Sequence, residues 1–512
     1  MQTRTPAPSS VVRRLTSAVM PMCGSLILGL LGLSIGGCRA QPPTPSAPQT
    51  LHLGAQRTVE TERVLSELLS AEPLIVIDWN GRPLPRLATE WEWDDAGLSL
   101  TMKLREDVRF HDGTLLTSEA VAAILRKTIP RDRSEGFRYL AALETPDATT
   151  IVFRLSRPDS FLIEAIAGAL IRDSDNPLLR TGPFRIVPFP SGLLALKNAG
   201  YYRGEPGIDR VEVTFYDTQR AVFAAIISDA VDMVPEVNPE SVEFLKGASQ
   251  LETFASVRPF YIPLVFNLRH PILRNPEVRR ALSQAIDREE IVRQAMRGHA
   301  HIAEDPVWPS HWAYNATSNR RGYDPAAARA QLDAAGFPVR PSATPNRMDS
   351  RFRLNCLFYN RDFQFERIAM LLQRQLEEVG VDLVLTGVDQ DELVQRAGAG
   401  NFDTYVFQLT SGKSFDRLYG FWHSKGGLQS TGYAGADAAL DQLRLSRRDA
   451  DVRMGVATLR QRFYEDVPAA FLAWPETTRA VSSRFDIGDH LDPDIFGNLW
   501  RWHAGPTQKA AR

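Results

Sequence analysis

A mostly apolar run from Val19 to Gly37 sets the strongest limit on this chain; Arg4, Arg13 and Arg14 are the only charges before it, and it ends at Cys38. Basic residues, an apolar stretch and then small residues form a secretory pattern, so residues 1–37 are expected to be removed rather than folded. Pro21 and the glycines of the run weaken the alternative, an uncleaved membrane anchor. What folds is then an exported chain. Cys23 is removed, leaving Cys38 and Cys356. No disulfide framework is available, and stability has to come from hydrophobic cores.

Removing 37 of 512 residues leaves 475, enough for two or three domains. The removed segment holds three arginines and no acid, so the formal net charge moves from −2 to −5. At 44% hydrophobic and 23% charged residues the chain is globular rather than disordered, and no basic excess marks a nucleic-acid binder. Leu33-Ser34-Ile35-Gly36-Gly37-Cys38 resembles the lipobox of bacterial lipoproteins. The resemblance implies lipidation of Cys38 and anchoring to a membrane by several acyl chains. Pro42, Pro43, Pro45 and Pro48 make residues 38–50 a stiff tether. Cys356 lies in the alternating stretch Phe352 to Phe358 and reads as a buried strand cysteine, not a nucleophile.

Periodicity predicts both strands and helices. Leu98, Leu100, Met102 and Leu104 alternate with polar residues, and Ile151 to Leu155 forms a second strand. Thr117 is a candidate N-cap between them. Asn275-Pro276 opens a helix through Val278 and Leu282, and Asp287 with Glu290 reads as a capping box for the next. A strand near 352–358, a helix over 366–379 and a strand at 381–385 make a β-α-β unit.

Several segments resemble one known family, the large extracytoplasmic solute-binding proteins of ABC importers, which includes oligopeptide-, dipeptide- and nickel-binding lipoproteins. The resemblance rests on Gly81 to Trp91, on Leu104-Arg105 with Phe110-His111-Asp112-Gly113, and on Thr181-Gly182-Pro183-Phe184. Tyr201 to Pro206, Val278 to Leu282 with Ala285-Ile286-Asp287-Arg288, and Tyr323-Asp324-Pro325 with Ala335-Gly336 continue it in the family's order. It implies an α/β fold of the periplasmic-binding-protein type (class II, large and three-lobed), with two α/β lobes, a hinge and a small extra lobe. Lobe I would comprise residues 51–64, 168–258 and 471–505, the small lobe 65–167, and lobe II 259–470. The implied partners are a small-molecule or peptide ligand and the permease and ATPase subunits of the importer. A monomer without cofactor is expected. The motif residues Phe110, Asp112, Gly113, Arg279 and Asp287 read as scaffold. His111 stands alone, and no spaced His/Cys/Glu cluster suggests a metal.

In peptide-binding members an aspartate after a strand like Phe402 to Phe407 pairs with the ligand's ammonium. Here Ser411 and Ser414 occupy those places, Lys413 adds positive charge, and Asp416 substitutes only with a shifted alignment. The expectation is therefore a neutral, sugar-like or carboxylate-bearing ligand rather than a free-amine peptide. Further ligand candidates are Asn267 at a strand end, Gln408, and the aromatics Trp308, Trp312, Tyr419 and Trp422, for which burial in a lobe core is the competing reading. No nucleophile elbow, zinc motif or triad supports the alternative of an exported hydrolase, and a sensory lipoprotein of the same fold is the other alternative.

Overall fold

The computed structural model describes residues 48–190, 192–315, 321–341, 349–488 and 494–505. The signal segment, Cys38 and all of the tether before Pro48 lie outside them. Its longer strands are β1 (Thr50–Gln56), β2 (Ala88–Trp93), β3 (Ser99–Leu104), β4 (Leu140–Asp147), β5 (Thr150–Leu155), β6 (Phe184–Val187), β7 (Gly192–Lys197) and β8 (Arg210–Tyr216). They continue as β9 (Met233–Val237), β10 (Leu251–Val257), β11 (Phe260–Phe266), β12 (Phe352–Tyr359), β13 (Val381–Val388), β14 (Thr404–Val406) and β15 (Ala469–Ser482). The helices are α1 (Val59–Ser70), α2 (Ser118–Thr128), α3 (Phe161–Gly168), α4 (Gln219–Ile227), α5 (Pro239–Lys246), α6 (Pro276–Gln284) and α7 (Arg288–Gln294). After them come α8 (Pro325–Ala334), α9 (Phe363–Glu377), α10 (Gln390–Gly398), α11 (Asp416–Trp422), α12 (Asp437–Leu445) and α13 (Asp449–Asp466).

One mixed sheet runs through the molecule in the order β6-β7-β8-β1-β9-β15-β11-β14-β12-β13, with β10 also on β15. Strand β15 joins its two halves. Residues 476–482 pair with β10, while 469–473 pair with β11, both antiparallel. The chain therefore passes between the halves twice, at Arg258–Pro259 and at Trp474–Pro475, where Arg258 N donates to Pro475 O at 2.8 Å. The run Ala469 to Pro475 is buried throughout, as expected for a strand covered on both faces.

Each half has its own core. In the first, Leu51, Leu53, Val211, Val213 and Phe184 pack together. In the second, alternation along β12 divides the side chains: Leu354 and Cys356 join Ile368 and Leu372 of α9, whereas Leu357 faces Tyr405 and Trp422. Cys356 is buried, and burial pushes its thiol up to about 12, which suits a core residue. A separate four-stranded sheet, β2-β3-β5-β4, packs Leu100, Met102 and Phe153 against Val121 and Leu125 of α2.

The local readings hold with two differences. Thr117 and Asn275 cap α2 and α6, and Asp287 accepts from Glu290 N at 2.9 Å. The reciprocal half of that capping box does not form. Asp287 N donates to Gln375 Oε1 at 3.1 Å instead, and Glu290 turns to Arg374 and Gln375 on α9. A tertiary contact between α7 and α9 has replaced a local one. Helix α9 also begins at Phe363, earlier than its apolar periodicity indicates, because Asp362 caps it by accepting from Gln364 N at 2.8 Å.

The motif residues are scaffold. Gly113 has φ +89° in a turn where Asp112 accepts from Thr114 N at 2.9 Å. The His111 ring lies 2.9 Å from Gly182 O, so two separated motifs touch. A Cβ on Gly182 would stand 2.5 Å from the Ser70 carbonyl carbon, and only glycine allows that approach. Arg279 is buried and donates to the carbonyls of Leu273, Asp466 and Val467, the last with φ +47°.

Candidate functional site

The parallel strands of both halves run toward one place. In the first half β1 is parallel to β8 and β9; in the second β12 is parallel to β13 and β14. The C-terminal end of β9 leads into α5, and that of β12 leads into α9. Open α/β sheets bind ligands at such ends. A cavity of about 490 Å³ lies there, beside the two crossing points, with Val237 and Asn238 on one wall and Asp362 and Phe363 on the other. That volume lies within the roughly 300–1,000 Å³ of small-molecule sites. Phe223 of α4, Arg258 and Glu476 also line it.

Charge pairs cross this cavity. Glu240, in the first turn of α5, pairs with Arg367 of α9 and lies 3.5 Å from Arg297 after α7. Burial, the largest single effect on Glu240, raises its pKa, but the Arg367 hydrogen bond, a backbone amide and the charges of Arg367 and Arg297 together outweigh it and hold the carboxyl below its usual range. Arg258 pairs with Glu236 at 3.0 Å, and Glu476 with His301 at 3.0 Å. Of these contacts, those of Glu240 with Arg367 and of Glu476 with His301 already bridge the two halves.

None of the side chains singled out from the sequence lines this cavity. Trp308 and Trp422 are each 1% exposed and belong to the core. The Trp308 indole donates to Trp79 O at 2.8 Å, and that of Trp422 to Tyr261 Oη at 2.8 Å. Trp312 is covered by the Arg82 guanidinium, 3.5 Å from its ring centre. Lys413 stands over the Trp79 ring at 4.8 Å. Ser411 is buried and donates to Pro306 O, while Asn267 donates to Gly400 O and Phe402 O. Gln408 is half-buried between β14 and Leu409. The large aromatics look like ligand platforms in sequence, but hydrophobic burial has used them as core.

Asp416 and Tyr419 have a different role. Asp416 accepts from Gly136 N at 2.7 Å, and the Glu164 carboxylate accepts from Asp416 N at 2.7 Å. Arg444 of α12 lies 3.4 Å from Asp159, 3.5 Å from Glu135 and 3.8 Å from the Tyr419 ring centre. These groups fill a seam between residues 135–164 and α11–α12. Burial pushes Asp416 up to about 6, Asp159 up to about 7 and Glu164 up to about 8. Arg444 opposes the rise at Asp159, and Asp416 adds to that at Glu164. The residues that do line the cavity, from α4, the β9–α5 turn and the start of α9, come from separated segments. The one sequence signal among them is Asp362 before Phe363, an acidic cap with an apolar residue exposed beside it.

The model for "Bacterial extracellular solute-binding proteins, family 5 Middle" matches residues 82–431. The oligopeptide-binding protein AppA of Bacillus subtilis is 23% identical over 446 residues, covering 80% of this chain and 81% of AppA. The glutathione-binding protein GsiB of Escherichia coli is 26% identical over 348 residues, covering 64% and 66%. Among solved structures, NikZ of Campylobacter jejuni in complex with Ni(L-His) superposes with a TM-score of 0.74 at 19% identity, covering 89% of this chain and 100% of NikZ. B. subtilis AppA in complex with a nonapeptide superposes with 0.73 at 20% identity, covering 90% and 99%. Since the family model spans more than half of the sequence, this chain belongs to the bacterial extracellular solute-binding proteins of family 5.

Proposed function

We propose that this chain is the lipid-anchored substrate-binding subunit of an ABC importer, which captures a peptide-like or other small solute and delivers it to the permease and its ATPase. The observation that carries this reading is the cavity at the double crossing of the sheet, with walls from both halves. Two connections placed side by side permit hinge closure around a ligand. Residues 51–64, 168–258 and 471–505 are assigned to lobe I, 259–470 to lobe II and 65–167 to the small lobe, except that 471–474, which precede the Trp474–Pro475 crossing and pack with the second half, go with lobe II. The protein works as a monomer outside the cytoplasm, held to its membrane by lipid on Cys38, and returns its solute unchanged. No described helix is long and apolar enough to cross a membrane. The relatives that bind oligopeptides and glutathione support a peptide-like solute.

Two measurements test this. Protein purified without denaturation is expected to release a solute on unfolding, identifiable by mass spectrometry. Adding that solute back should raise the unfolding temperature in a saturable way. Turnover of the solute, or no stabilisation by it, contradicts the reading. Cys38→Ser should abolish incorporation of labelled palmitate and move the protein from the membrane to the soluble fraction; a membrane-bound Cys38→Ser variant contradicts the anchor.

A further inference from the structure

The four-stranded unit touches both halves of the sheet, and its two attachments differ in kind. The chain enters it from α1 and leaves it into β6, and Leu65, Leu69 and Phe184 of those elements share the core of the first half. Glu72 adds to this attachment by accepting from the Tyr201 and Tyr202 hydroxyls at 2.8 and 3.1 Å. The unit therefore goes with the first half. Its contact with the second half is the seam of residues 135–164 against α11 and α12, flanked by Arg82 with Asp449 at 2.6 Å and by the Trp308 indole on Trp79 O. When the halves part, it is this seam that has to separate.

Acids outnumber cations in the seam. Glu135, Asp159 and Asp416 are buried, and Glu164 joins them through the Asp416 amide. Buried Arg444 serves Asp159 and Glu135, and Glu135 also has Arg138 at 3.0 Å. Asp416 and Glu164 have no ion-pair partner among the described residues; Arg417 attracts Asp416 from farther off, while Asp132 and Glu135 repel it. Asp159 and Asp416 both repel Glu164. Asp159 Oδ2 and Arg444 Nη1 are buried without a hydrogen bond among the described residues. Around them stand Tyr139 on one side and, on the other, Tyr419 and His423 with rings stacked 4.1 Å apart. Asp437 and Asp441 lie 3.8 and 3.3 Å from His423. Crowded carboxyls with too little counter-charge favour the neutral form, and burial works in the same direction.

We propose that the seam is the closing face of the molecule and that closure takes up protons: when the halves part, water reaches Asp159, Glu164 and Asp416 and all three ionise, and when the halves shut at least one of them holds a proton. This rests on the capture reading above and adds a dependence on pH to it. The open form releases these protons near the ordinary carboxylate range of about pH 4. The closed form keeps them to higher pH, so acid favours the closed form and a rise in pH favours release.

Spin labels on Ala148→Cys, in the turn between β4 and β5, and Ala450→Cys, in the first turn of α13, report the distance across the seam. Both positions are exposed, while Cys356 is buried, and the exported protein carries Cys38→Ser. Without solute, the ratio of open to closed distances should rise at least about tenfold between pH 5 and pH 8.5. The double variant Glu164→Gln, Asp416→Asn should lose most of that rise, with circular dichroism checking its fold. Glu164→Gln alone, which keeps an oxygen for the Asp416 amide, takes its place if the double variant does not fold. Glu476 with His301 is another titrating contact between the halves, so His301→Gln should keep the rise. A distance distribution that does not change with pH overturns the proposal, as does an equal rise in the carboxyl variants or its loss in His301→Gln. If the purified protein still releases and rebinds a solute after such a result, the capture reading stands and only the proton coupling falls.

Discussion

Replacing Arg444 with leucine is expected to lower the unfolding free energy by about 3–5 kcal/mol, the cost of leaving the buried Asp159 without its cation, while Glu135 keeps Arg138 at 3.0 Å. Arg444 is 4% exposed, and Asp159 and Glu135 beside it are 2% and 5% exposed. The guanidinium also lies on the Tyr419 ring, and its Nη2 is 3.2 Å from Glu135 O. Leucine fills part of the volume but supplies none of the donors. Asp159 would then be buried with only the Phe161 amide, at 3.0 Å, to satisfy it. The double variant Arg444→Leu, Asp159→Asn should recover part of the loss, because it removes the stranded carboxyl together with its partner. Urea titration of the three proteins measures this. A loss below about 1 kcal/mol, the range of exposed ion pairs, would show that the seam is solvated.

Stability is also expected to depend on pH in the sense opposite to that of salt-bridged carboxylates. Asp416, Asp159 and Glu164 hold their protons up to about pH 6, 7 and 8 in the folded chain, whereas the unfolded chain releases them near the ordinary carboxylate range of about 4. Over that interval the native state binds more protons, so unfolding becomes easier as pH rises. The contribution of the seam is fully present below about pH 4 and is lost by about pH 8. Each group's share is on the order of a few kcal/mol, since a tenfold change in proton affinity is worth about 1.4 kcal/mol. Glu164→Gln keeps an oxygen to accept the Asp416 amide and carries no titrating group. Relative to that variant, the unaltered protein should lose stability between pH 5 and pH 8.5; parallel curves would contradict the burial of this proton.

Architecture was more legible in the sequence than the site. Alternation located β3, β5 and β12, and helical spacing located α6 and α9, because each pattern records a single buried face. The turn at Gly113 and the close approach at Gly182 were legible because only glycine meets those geometric demands. The cavity was not. Phe223, Asn238, Arg258, Asp362 and Glu476 each look like ordinary surface residues in their own segment, and only the double crossing of β10–β11 and β15 brings them together. Trp308 and Trp422 show the same limit in reverse, since nothing local separates a stacking platform from a core filler. Asp416 lies in the segment where the resemblance led us to expect a ligand-binding acid, but its partners Gly136 and Glu164 are about 250 or more residues away in the chain.

Hydrogen exchange, measured before and after adding the solute that the purified protein releases, tests the central claim most directly. Capture between the halves predicts new protection in residues 236–241, 256–260, 362–367 and 475–477 together, since one ligand contacts all four. Protection confined to the cavity of about 290 Å³ beside Arg288 and Tyr323, or to residues 408–422 alone, would contradict it.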